Sequence, residues 1–169
     1  MYATADTYTI TISGTFPRIQ LGDFNISGLG SPTTAAGQIR SVEQWGDIAW
    51  TSMSFAFAGC ENLTINASDV PDLSNGPTML GMFNAAAFNG DISKWNTSKV
   101  TNMSATFWNA NFNEDISEWD VSSVTVMSSM FLSSSFNGDL SGWDVGKVTN
   151  MERMFESSSF NGDLSGWDV

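Results

Sequence analysis

Four aspartates, Asp91, Asp115, Asp139 and Asp163, recur every 24 residues, each followed two positions on by a serine, at Ser93, Ser117, Ser141 and Ser165. Asparagines stand two positions before them, at Asn89, Asn113, Asn137 and Asn161. If successive repeats lie side by side as parallel strands do, about 4.8 Å apart, the carboxylates become near neighbours. Two unit charges at that separation repel by about 3.5 kcal/mol at an effective dielectric near 20, and by less than about 1 kcal/mol when fully hydrated. Solvation, hydrogen bonds accepted from each carboxylate's own turn, or bound calcium would each relieve the repulsion. The Asp, Asn and Ser oxygens suit calcium, which takes roughly six to eight oxygen ligands, but no EF-hand or nonapeptide calcium motif accompanies them. Turn bonding is the first expectation, and a calcium column at Asp91, Asp115, Asp139 and Asp163 is the alternative.

Catalysis has little else to draw on. The 169 residues include no histidine, which removes the commonest general base and metal ligand. Cys60 is the single cysteine, so neither an intrachain disulfide nor a thiolate metal cluster forms. In "FAGCENL" it reads as a small buried apolar residue. No catalytic residue and no organic cofactor is expected, and the chain reads as a non-enzyme. Eighteen acidic residues against six basic ones give a net charge of −12. Such a surface repels nucleic-acid phosphates and anionic membranes, so no nucleic-acid partner is expected. No apolar run approaches the roughly 18 residues of a membrane-crossing helix.

The elements that position these residues follow from an internal repeat. "FNGDLSGWDV" occurs letter for letter at residues 136–145 and 160–169. Phe83, Phe107, Phe131 and Phe155 keep the same 24-residue step, as do Phe88, Phe112, Phe136 and Phe160, and Trp95, Trp119, Trp143 and Trp167. Met79, Met103, Met127 and Met151 complete the register, and a degenerate older repeat begins near Ser41, with Pro71 at the Trp position. Columns in register over four copies mark a tandem array whose units bury their apolar faces by stacking. The Phe, Met and Trp columns therefore read as core. Trp108 falls off this grid, with Asn84, Leu132 and Glu156 in its column, and becomes a candidate partner contact.

Within one unit, Val100, Met103, Phe107 and Ala110 have helical spacing, with Thr101 as an N-cap and Thr149 with Glu152 as a capping box in a later copy. After an Asn-Gly turn signal, "DISEWDV" places Ile116, Trp119 and Val121 on a strand-like spacing. The fold class predicted is an α/β solenoid, leucine-rich-repeat-like, with one short parallel strand near 115–121 and one short helix near 125–134 per 24-residue turn. Residues 41–169 form the solenoid and 1–40 an N-terminal strand and capping segment. There, Tyr8, Ile10 and Ile12 alternate with threonines as in a half-buried strand. "FPRIQLGDF" reads as a first coil, and "SGLGSPTTAAGQ" as a loop.

The unit "VTNMSATFWNANFNEDISEWDVSSVTVMSSMF" resembles the tandem repeat of BspA-like leucine-rich-repeat surface proteins, and "YATADTYTITISGTF" resembles the final strand of a PKD-like domain. The first resemblance covers about Ser41 to Val169, with departures at Pro71, Thr97 and Thr106. It implies an extracellular or cell-surface binding or adhesion module that presents a solenoid face to a protein or glycan, with no catalytic residues to carry over. The alternative is a structural protein that self-associates as a dimer, rod or filament through its solenoid ends. On that reading Phe160, Leu164 and Trp167 are contact candidates beside Trp108, because the last repeat carries no polar cap.

Overall fold

A computed structural model describes Thr9, Thr11, Arg18, Ile19 and residues 36–169. The expected N-terminal strand, most of the first coil and most of the Gly-rich loop lie outside these residues. A 3₁₀ turn at Ala36–Gln38 precedes three short strands, β1 (Ser41–Val42), β2 (Leu63–Ile65) and β3 (Phe88–Asn89). They pair in parallel in chain order, with Ser41 opposite Thr64 and Leu63 opposite Phe88. Isolated parallel bridges continue the side-by-side arrangement at Asn102 with Val126 and Val126 with Asn150, and Arg18 bridges Ser52.

The predicted α/β solenoid does not form. Among the described residues there is no α-helix, and residues 115–121 form no strand. The segments read as helices are chains of β-turns. Thr106 N–H donates to Met103 and Ala110 N–H to Phe107, closing two turns in which Ala105 and Asn109 have φ of 54°. Positive φ at the third residue is the mark of a type II turn. Between them, the amides of Met103, Ala105, Phe107 and Asn109 point away from their own segment and donate to Val126, Ser128, Met130 and Leu132 of the next repeat. An α-helix would direct those amides four residues back. Neither Thr101 nor Thr149 caps a helix. Thr149 N–H and Oγ1–H both donate to the Thr125 carbonyl one repeat earlier, at 2.8 and 3.1 Å.

Each repeat is thus an irregular coil laid on its predecessor, and successive coils begin at Met53, Met79, Met103, Met127 and Met151. The apolar columns meet inside. Phe83, Phe107, Phe131 and Phe155 stack at 5.6–5.8 Å between centroids, with nearly parallel rings. Within a coil, Phe107 lies 4.5 Å from Phe112, and the Trp119 indole N–H donates to the Ile92 carbonyl of the coil before at 3.0 Å. Trp143 repeats that bond to Ile116. Trp45 and Trp50 are equally buried, but their indole N–H groups have no partner among the described residues. Left-handed geometry costs an L-residue roughly 1–2 kcal/mol. The sequence moderates this with glycine at Gly59 and Gly81 and with small residues at Ala85, Ala105, Ser129 and Ser133. The inter-coil hydrogen bonds and ring stacking offset the remainder.

Candidate functional site

The aspartate column sits on the corner that follows each Phe pair. Asp115 Oδ1 accepts the Ser117 amide at 2.9 Å, Asp139 that of Ser141 at 2.9 Å, and Asp163 that of Ser165 at 2.8 Å. Asp91 accepts both the amide and the hydroxyl of Ser93, at 2.9 and 2.6 Å. These side-chain turns are the local reason for D-x-S: the short carboxylate replaces a backbone acceptor two residues before the donor. The hydrogen bonds hold all four carboxyls below the usual aspartate range. In Asp115 the Ser117 amide is the largest cause and its hydroxyl the next, while the charges of Asp139 and Asp91 push weakly upward. The Ser93 hydroxyl leads for Asp91, and the Ser141 and Ser165 amides lead for Asp139 and Asp163. All four are exposed. Among the described residues no three His, Cys, Asp or Glu side chains gather as metal ligands. The carboxylates are thus engaged singly, each with its own turn.

The same device recurs at other corners. Asp120 accepts the Ser122 amide at 3.0 Å, and Asn102 accepts that of Ser104 at 2.8 Å. The asparagines assigned to the calcium alternative do something else. Asn113 Oδ1 accepts the Asn137 amide, and Asn137 Oδ1 that of Asn161, each at 2.7 Å and each between neighbouring coils. Sequence reasoning found this column but not its task. The signal was the Asn recurring in step with the Phe beside it.

The contact candidates separate. Phe160, Leu164 and Trp167 lie together on the outer face of the coil beginning at Met151. Phe155 packs 4.3 Å from Phe160 and 6.3 Å from Trp167. All are half-buried. Trp108 is also half-buried but lies two coils away, in the column of Glu156. Cys60 is fully buried, and burial pushes its thiol up to about 12, so it is inert as a nucleophile.

A stack of turn-rich, 24-residue coils with Asn, Asp and Ser at its corners has a counterpart among known sequences. A family model described as "Mycoplasma protein of unknown function, DUF285" matches residues 33–111 and 77–169. The chain belongs to the DUF285 family. No curated protein and no solved structure matches it. Among the described residues of this DUF285 protein, no helix is long and apolar enough to cross a membrane.

Proposed function

We propose that this DUF285 protein is a non-enzymatic binding or adhesion module, extracellular or held at a cell surface, that presents the side of its coil stack to a protein or glycan partner. The observation that carries this reading is the division of each repeat between core and corner. The aromatic and aliphatic columns face inward, while the Asn, Asp, Ser and Thr columns face out, held by hydrogen bonds to their own turns or to the neighbouring coil. That arrangement supplies an ordered, periodic, acidic surface. A pre-ordered surface loses little entropy on binding. The resemblance to BspA-like surface proteins supports the same reading.

Labelled protein applied to glycan arrays and to cells, before and after protease treatment of those cells, tests it. Saturable binding is expected, and Asp115→Lys with Asp139→Lys should weaken it by inverting two neighbouring charges. Binding no stronger than that of an unrelated acidic protein on both surfaces would remove the reading.

A further inference from the structure

The hydrogen bonds between coils are directional. Along 103–109, four alternate amides donate toward the C-terminal neighbour at 2.7–2.9 Å, and the same four positions do so in the coils beginning at Met53, Met79 and Met127. Bonds in the opposite sense come from other parts of the coil. Thr125 N–H donates to Thr101, Ser135 N–H to Ala110, Asn137 N–H to Asn113 Oδ1, and the Trp143 indole to Ile116. One face of a coil therefore carries a row of four donors and a separate set of acceptors, and its other face carries the complement.

The coil beginning at Met151 presents the first of these faces with no described residue against it. The amides of Met151, Arg153, Phe155 and Ser157 donate to no described group. By position, Thr149 O, Ser158 O, Asn161 Oδ1 and Leu164 O are the acceptors the next coil would use. Phe155, Phe160, Leu164 and Trp167 are half-buried where Phe131, Phe136, Leu140 and Trp143 are 0–3% exposed. Phe155, Leu164 and Trp167 border a shallow concavity of about 450 Å³.

We propose that this face docks a polypeptide segment carrying the same 24-residue unit, which enters as one further coil in the orientation of the rest of the stack. The occupant is set by the hydrogen-bond pattern as well as by the apolar area. A helix has already used its own carbonyls and cannot serve four alternate amides. A two-fold copy that laid residues 151–157 against themselves would set donors against donors. Only a segment that offers carbonyls at alternate residues, with Phe and Trp in register, satisfies both the donor row and the ring columns, as each interior coil does.

The full chain, extended after Val169 by a flexible Gly/Ser linker and a copy of residues 146–169, tests this. The tether supplies a local concentration on the order of millimolar. Hydrogen exchange at Arg153, Phe155 and Ser157 should slow by at least about tenfold relative to the unextended chain, with a blue shift of tryptophan emission. A scrambled copy on the same linker should give neither change. Unprotected amides with the intact unit would overturn the proposal. Equal protection by the scrambled unit would reduce the face to a non-specific apolar patch. The same three amides already slow in the unextended chain would mean that the face is occupied by something else, which overturns it too.

Discussion

The Asp115 carboxylate is tied to the Ser117 amide two residues on, and this bond contributes to how the protein responds to acid. Its folded pKa lies below the unfolded value of about 3.9. Stability from such a group is therefore fully present above that unfolded value and is lost as pH falls through the folded one. Asp91, Asp139 and Asp163 act in the same sense. Thermal melts should thus be nearly flat from neutral pH to about 4.5 and then shift downward. Asp115→Asn with Asp139→Asn keeps an Oδ1 acceptor in each turn, so the double variant should fold normally at pH 7 and show a shallower acid limb. A melting temperature that climbs below pH 4 would mean that repulsion within the column outweighs its hydrogen bonds. The same geometry engages each carboxylate with its own turn, so calcium is expected to add no stability. Melts in millimolar calcium and in chelator should agree to within about a degree, whereas a site filled in the native state alone would raise stability by mass action.

Elements in this chain are defined by neighbours above and below. Trp119 is 3% exposed, lies near Trp95 and Phe107, and bonds Ile92 of the preceding coil. Trp119→Ala should therefore cost about 3–5 kcal/mol in denaturant melts; a loss under about 1 kcal/mol would contradict the burial. A contrasting substitution tests the turn geometry. Ser129 has φ of 55° at the position where an earlier coil carries Gly81. Ser129→Gly removes left-handed strain, against an added flexibility in the unfolded chain of roughly 0.5–1 kcal/mol. It should come out neutral or stabilising, and a loss above about 1 kcal/mol would count against a left-handed Ser129. The period, the inward columns and the D-x-S corners were legible in the sequence, because identical residues at a fixed step must stack. The helix was misread because Met103, Phe107 and Ala110 fit two consecutive type II turns as well as a helical face. What separates the two is where alternate amides point, which depends on a neighbour 24 residues away. Gly59 and Gly81, inside segments with helical spacing, were the local warning.

At the scale of the whole molecule, the coils form a one-dimensional array in which hydrogen bonds and ring stacks join each coil to its immediate neighbours. Stability in such an array is approximately a sum of coil and nearest-neighbour terms. Removing residues 146–169 makes a sharp test, because the shortened chain ends on the same ten residues as the parent. Phe136, Leu140 and Trp143 would then occupy the positions of Phe160, Leu164 and Trp167 on the outer face. The terminal interface is regenerated one coil earlier, with no new kind of surface exposed. The shortened protein should stay folded and melt several degrees lower. Its unfolding enthalpy should fall by about 0.7 kcal/mol for each residue removed. Calorimetry reads both quantities at once. If the deletion instead unfolded every coil, the stack would be a single indivisible unit, and nearest-neighbour addition would not describe it.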